Sequence, residues 1–390
     1  MQTMNVHMAE ALVDLEQLAH NISTTRARLG HCKLLFPVKA NAYGHGAVEV
    51  AHVAQACGVD YFGVANVAEA LELRARGIHT PVLIFCASRL AHVSALVEAE
   101  VDVSVSSAAF ATALNVAARA RKRRVRVQIK VDTGMGRNGV WWERALSLAR
   151  TLATLPALEC VGIFTHFSAS YSTSAPDHSF SVAQLDAFNR LLVSLEQEGL
   201  LPPLRHIANS SGLVQYEELV TTGYFNMVRP GILLYGAPEL GRPWTRSIQP
   251  ILSLRTWITS LDTLEPGRTI GYGRAYETTR TTRVASLPVG YADGISWWLK
   301  NRGQVWIKGQ RAPLVGGISM DQLTVDVSHI ADLNVDDEVY LIHPELPAAE
   351  VAQTLGANFS EVVLTALSGR VARVYLNAPS PCPVSGCGVA

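Results

Sequence analysis

Through the first 230 residues, short apolar runs alternate with longer stretches whose apolar positions recur every three to four residues. The short runs predict strands over Leu34–Val38, Tyr61–Val64, Val82–Phe85, Asp102–Val105, Val125–Val131, Gly162–Thr165, Leu204–Ala208 and Met227–Pro230. The longer stretches predict helices over Val48–Ala56, Val67–Arg76, Arg89–Ala99, Ser107–Ala120 and Val182–Gln197. Eight strands separated by helical crossovers are the rhythm of a TIM-like (β/α)8 barrel, and a doubly wound parallel sheet shares that rhythm. Beyond Tyr235 the pattern changes. Pro238, Gly241 and Pro243 interrupt it, and Ile251–Ile258, Thr281–Leu287, Gln304–Ile307, Leu323–Asp326, Glu338–Ile342 and Val371–Tyr375 then read as strands between tight turns. The expected organisation is a barrel over residues 12–244 and a mostly-β domain over 245–378. An N-terminal strand within 1–11 would join the β domain, and a flexible tail would cover 379–390.

Composition narrows the partners more than the fold. The chain has 390 residues, 48% of them apolar and only 17% charged, which suits two domains and a surface that an oligomer could cover. Thirty-three basic residues balance 33 acidic ones, so nothing favours nucleic acid or a membrane surface. The basic run Arg121–Arg126 is short and reads as a solvated helix end. The opening segment lacks a basic stretch followed by an apolar core, and no window is long and apolar enough for a membrane span. A reducing, cytoplasmic setting fits the six dispersed cysteines. Cys382 and Cys387 lie in the tail and read as part of a frayed terminus; no metal site is expected.

Chemically capable residues gather where the predicted barrel strands end. Lys39 follows the first strand, Lys130 and Asp132 close the fifth, and His166 follows the sixth. Asn209 and Ser210 follow the seventh, and Arg229 lies on the eighth. In a barrel these positions share one rim, the face that carries active sites. An apolar Pro-Val delivers Lys39 into a polar turn, and a desolvated amine has a lowered pKa that suits it to Schiff-base chemistry. Tyr43 is near enough in sequence for its hydroxyl to reach a phosphate, though a core tyrosine reads equally well. Ser210, Gly231 and Ile232 fit a phosphate site after the last two strands. Arg229 can only donate, so a pyridine nitrogen facing it stays unprotonated, which weakens an electron sink. Arg137, after a tight glycine turn, is placed to hold a carboxylate.

Eight motifs, in order, resemble those of one family. They are Pro37–Gly46 (PVKANAYGHG), Lys130–Arg137 (KVDTGMGR), Gly162–Phe167 (GIFTHF) and His206–Ser210 (HIANS), then Met227–Gly236 (MVRPGILLYG), Gly271–Gly273 (GYG), Gly290–Gly294 (GYADG) and Met320–Gln322 (MDQ). The chain resembles the alanine racemase family, pyridoxal 5′-phosphate (PLP) enzymes of fold type III, along almost its whole length. The resemblance implies an enzyme that interconverts L- and D-alanine with Lys39 as cofactor lysine and base on one substrate face. Tyr272 of the partner subunit in a head-to-tail homodimer would be the base on the other. Tyr43, Ser210, Gly231 and Ile232 would hold the phosphate, with His166 beside the ring and His206 supporting Arg229. Arg137, Met320, Asp321 and Tyr291 would bind substrate, and Lys130 matches a lysine that the family often carries carbamylated.

Two departures alter the expected pocket. Ser368-Gly-Arg370 stands where the family commonly has Ser-Tyr-Arg, so Gly369 replaces a ring that narrows the substrate site, and serine or broader specificity becomes the alternative. Gly317-Ile-Ser319 stands where many members have an arginine and a cysteine. A PLP-dependent decarboxylase shares the architecture but would be expected to lack the Tyr272 and Met320–Asp321 pattern. A metal-dependent aldolase would need a ligand cluster where His343 stands alone, and a non-catalytic single-barrel PLP protein would have no second domain.

Overall fold

The computed structural model describes residues 7–377. After β1 (Ala9–Asp14), the chain runs through β2 (Lys33–Pro37), β3 (Tyr61–Val64), β4 (Val82–Ile84), β5 (Asp102–Val105) and β6 (Val125–Asp132). It continues through β7 (Val140–Trp141), β8 (Leu158–Phe164), β9 (Leu204–His206) and β10 (Met227–Val228). All but β1 and β7 follow one another in parallel register, in the order β10-β2-β3-β4-β5-β6-β8-β9. The two end strands meet: Asn226 N donates to Arg205 O at 3.2 Å, and Arg229 N donates to Ala208 O at 2.9 Å. That closure decides for the barrel over the doubly wound sheet. Leu35, Tyr61, Leu83, Phe164, Leu204 and Met227 fill the interior as a cluster separate from the main core.

Helices surround the strands, and side-chain caps set where several begin. Asp14, Asn66, Ser107, Ser174 and Asn209 each accept a hydrogen bond from a backbone N–H in the following first turn. The helix predicted at Val182–Gln197 starts earlier, at Ala175, because Ser174 caps it and Pro176 fits its first turn. Arg89–Ala99 splits into a 3-10 turn, Leu90–His92, and a short helix, Val93–Glu98.

The second half contributes β11 (Leu252–Trp257), β12 (Ser260–Leu264), β13 (Thr269–Ile270), β14 (Tyr276–Glu277) and β15 (Thr282–Leu287). It adds β16 (Gln304–Ile307), β17 (Gln310–Pro313), β18 (Leu323–Asp326), β19 (Glu338–Ile342) and β20 (Ala372–Leu376). Six strands form one sheet in the order β17-β16-β19-β11-β1-β20, so β1 pairs antiparallel with β11 and parallel with β20. A three-stranded sheet, β12-β15-β18, and the hairpin β13-β14 carry the loops discussed below. One apolar core continues through both halves. The N-terminal-strand reading lies within the described residues only from His7 onward, and Cys382, Cys387 and the 379–390 tail lie outside them. Among the described residues no helix is long and apolar enough to cross a membrane, and no group of side chains is arranged for a metal.

Candidate active site

Val38 N donates to Gly63 O at 2.8 Å, carrying the end of β2 onto β3, and the backbone then reverses its hand. Ala40, Asn41, Ala42 and Tyr43 have φ of 52°, 54°, 51° and 53°, a left-handed turn of four L-residues. Each such residue costs roughly 1–2 kcal/mol. The turn is clamped from several sides. Asn41 Oδ1 accepts from Ala47 N at 2.9 Å, Ala40 N donates to Glu69 Oε1 at 3.0 Å, and Arg373 Nε donates to Gly44 O at 3.0 Å. Gly44 lies so close to Leu364 that an added Cβ would fall 2.1 Å from its carbonyl oxygen. The distortion fixes Lys39 at the barrel mouth and turns Tyr43 beneath it, with Nζ 5.8 Å from the Tyr43 ring centre. Such strain concentrates at functional sites.

Lys39 opens into a cavity of about 600 Å³ whose wall includes Tyr43, Lys130, Arg137, His166, Ser210, Arg229, Gly231 and Ile232. The residues predicted from the first half therefore converge, except His206, which lies behind Arg229. Burial, then Arg137, lowers the Lys39 pKa. Lys130 is pushed down to about 7 by burial and then by Arg229 and Arg137, so its amine is partly neutral near pH 7. Arg137 has no protein hydrogen-bond or ion-pair partner among the described residues. Asp132 shapes the loop that presents it, since its Oδ1 accepts from Gly134 N at 2.8 Å and Gly136 N at 3.2 Å.

Ser210 Oγ accepts from Gly231 N at 2.9 Å and Leu233 N at 3.2 Å, leaving its own hydrogen free to donate. A Cβ on Gly231 would lie 2.8 Å from the Tyr43 hydroxyl, so glycine here leaves that hydroxyl its place. Arg229 is 3% exposed and has no carboxylate partner within ion-pair distance among the described residues. Its Nη2 donates to Thr165 O at 2.7 Å and Ile207 O at 2.8 Å, and its Nη1 donates to His206 Nδ1 at 2.7 Å. His166 Nδ1 stands 3.3 Å from the same guanidinium. Burial, then Arg229, drives the pKa of both histidines well below the usual range.

The site residues predicted in the second half do not line this cavity within the chain. Tyr272 is 81% exposed, on a turn where Gly271 and Gly273 have φ of 75° and 69°. Met320 and Tyr291 are also exposed, as are Trp297 and Trp298. Their loops are joined: Tyr291 N donates to Ser319 O and Ala292 N to Met320 O, both at 3.0 Å, while a Cβ on Gly271 would strike Gly317 N at 2.5 Å. Asp321 pairs with Arg370 at 2.7 Å. Gly369 sits on an exposed turn where a Cβ would meet nothing within 4 Å, away from the cavity wall.

The architecture and the motifs belong to one family. The model for the alanine racemase N-terminal domain matches residues 13–239, and that for its C-terminal domain matches 251–375. The chain belongs to the alanine racemase family. An alanine racemase of Desulfovibrio desulfuricans is 38% identical over 369 residues, 94% of this chain and 97% of that one. The crystal structure of alanine racemase from Streptomyces lavendulae superposes with a TM-score of 0.87 at 34% identity, covering 95% of this chain and 97% of that one. That from Bartonella henselae, with covalently bound pyridoxal phosphate, superposes at 0.84 and 26% identity, covering 95% and 99%. Alanine racemases are PLP-dependent enzymes of fold type III, and this chain shares that catalytic architecture.

The cavity also holds residues that the motifs did not single out. Tyr171 and Phe359 pack edge to face at 5.1 Å on its wall. Cys86, Glu239 and Glu361 line it as well. Burial, then Glu361, raises the Glu239 pKa to about 7, and burial raises that of Glu361. Glu239 and Phe359 arrive from beyond the barrel strands, so no strand-end rule could find them. Cys86, just past β4, stands where a strand-end rule would apply.

Proposed function

We propose that this chain interconverts L- and D-alanine by a two-base reaction whose site is completed by a second subunit. The observation that carries the reading is the division of its chemistry. Lys39, Arg137, His166 and Arg229 surround one cavity, while Tyr272, Tyr291 and Met320 stand exposed on linked loops of the other domain. An exposed patch of this kind, rich in aromatic residues, is the mark of a surface that a partner covers. In a head-to-tail homodimer, each domain of one subunit would face the complementary domain of its partner.

Lys39 Nζ would hold PLP, with Tyr43, Ser210 and the backbone of Gly231 and Ile232 around its phosphate. The bound cofactor supplies the electron withdrawal that makes the Cα proton of an amino acid removable. Arg229 would donate to the ring nitrogen, and Arg137 would hold the substrate carboxylate, near the partner's Met320 and Asp321. Lys130, neutral in part near pH 7, is chemically ready for carbamylation, which would give Arg137 an anionic neighbour. Racemisation requires a proton to leave one face and another to arrive on the opposite face. Lys39 serves the D-substrate and Tyr272 of the partner subunit serves the L-substrate.

Mixing two inactive variants tests the arrangement directly. Lys39→Ala and Tyr272→Phe should each lose racemisation by a factor on the order of 10²–10⁴. Refolded together, they should regain about a quarter of wild-type activity, because half of the dimers are mixed and each carries one intact site. No recovery in dimers shown to be mixed would refute the shared site.

A second reading concerns specificity. Gly369 stands where the family commonly has a tyrosine, and the absence of that ring is what favours a pocket that accepts serine or larger side chains. Cα hydrogen–deuterium exchange over a panel of amino acids should show serine within about tenfold of alanine, a gap of ~1.4 kcal/mol. Gly369→Tyr should widen that gap, and an unchanged panel would remove Gly369 from the specificity argument.

A further inference from the structure

Arg229 is held at one end of a hydrogen-bonded row that crosses the barrel interior. Beyond its 2.7 Å contact with His206 Nδ1, His206 Nε2 lies 2.8 Å from Gln128 Oε1. Gln128 Nε2 donates to Asp102 Oδ2 at 2.8 Å, and Asp102 Oδ1 accepts from Arg126 Nε at 2.7 Å. Asp102, Gln128, His206 and Arg229 are at most 3% exposed, whereas the Arg126 side chain keeps 46% exposure at the far end. The surroundings make room for this row. Gly162 on β8 leaves the space Gln128 occupies, since a Cβ there would fall 2.6 Å from Oε1. Phe164 stacks on the His206 ring at 4.9 Å and 6°, fixing its plane.

The direction of every hydrogen in the row is forced. A carboxylate paired with arginine only accepts, so Gln128 turns its NH2 toward Asp102 and its carbonyl toward His206. That carbonyl also only accepts, so His206 carries its hydrogen on Nε2. Arg229 only donates, so His206 Nδ1 is bare. We propose that Asp102 and Gln128 are positioning residues of the racemase: the carboxylate at the base of the barrel sets, through Gln128, the tautomer of His206 and thereby keeps Arg229 aimed at the cofactor ring. The proposal rests on the assignment of Arg229 to that ring.

Nitrogen-15 NMR of the full-length holoenzyme labelled at histidine reads the tautomer, with the His206 signal identified by its loss in His206→Gln. The expected result is a neutral ring with its hydrogen on Nε2 throughout pH 5.5–8.5, a window that spans the ordinary histidine value of about 6.5. An imidazolium or an Nδ1 hydrogen in the wild type would overturn the proposal without any further variant. Asp102→Asn should invert the row. The introduced amide keeps its oxygen on Arg126 and turns its NH2 to Gln128, which flips and donates to His206 Nε2. The hydrogen then moves to Nδ1, against Arg229. We expect that inverted signature together with a fall in kcat of about tenfold or more, while KM for alanine stays within about twofold.

Adding Gln128→Glu to Asp102→Asn restores an acceptor facing Nε2. It should return the wild-type tautomer and recover most of kcat, which a packing defect would not do. Asp102→Asn with a wild-type tautomer and wild-type kcat would refute the role. Failure of the wild-type protein to bind PLP would instead sink the functional reading, so the two failures are separable.

Discussion

His45 places the Nδ1 edge of its ring 2.9 Å from Ala42 O and 3.0 Å from Tyr43 O, while its Nε2 is buried with no partner. Its ring stacks on Tyr235 at 4.6 Å, and burial pushes its pKa down to about 4. His206 shows the same effect with the opposite nitrogen protonated. Both histidines are fully buried and neutral in the folded chain but take up protons at ordinary values when unfolded. Below about pH 6.5 the unfolded state therefore binds more protons than the folded state, and stability falls as pH falls. For His45 that loss continues until the folded ring itself protonates near 4. Each such histidine costs roughly 1.4 kcal/mol per pH unit once the unfolded ring is fully protonated. Between pH 5.5 and 4.5 the wild type should lose about 1 kcal/mol more than His45→Gln, read as the difference in urea midpoints. Equal losses would show that His45 is not the group titrating.

At the scale of elements, the left-handed turn after β2 decides where the lysine stands. Its hydrogen bonds must outweigh the backbone cost of four L-residues with positive φ. The Asn41 side chain is the most exposed to test, because its Oδ1 satisfies the N–H of buried Ala47. Asn41→Ala should destabilise the protein by about 1–3 kcal/mol, measured by denaturant unfolding, and should weaken cofactor retention along with it. Unaltered stability would mean that water or another acceptor replaces the side chain.

The turn itself was not readable in advance. Lys-Ala-Asn-Ala-Tyr has the residues of an ordinary helix start, and its hand is imposed by Glu69, Arg373 and Leu364, which lie far along the chain. The barrel strands were legible because runs such as Tyr61–Val64 and Asp102–Val105 are buried on both faces and almost continuously apolar. β13, β14 and β7 span two residues each and leave no periodic trace. Lys39, Lys130, His166 and Arg229 were found by their place on or just after predicted strands, and Arg137 by the glycine turn before it. Glu239, Glu361 and Phe359 were not, because tertiary packing alone brings them there.

For the whole molecule, the proposed shared site would make activity a property of the assembled pair. Specific activity should therefore fall, on the order of tenfold or more, once dilution takes the protein well below its dimer dissociation constant. Lys39 should remain labelled by the cofactor under the same dilution. Activity that is constant down to demonstrated monomer would contradict the shared site.

The placement of β1 carries a further consequence. It lies between β11 and β20, so the first of the described strands waits for the last of them before both its edges are covered. A nascent or C-terminally clipped chain has an open strand edge beside a finished barrel, and such edges invite pairing with other chains. Loss of the residues from Ala372 onward is thus a solubility lesion before it is a catalytic one.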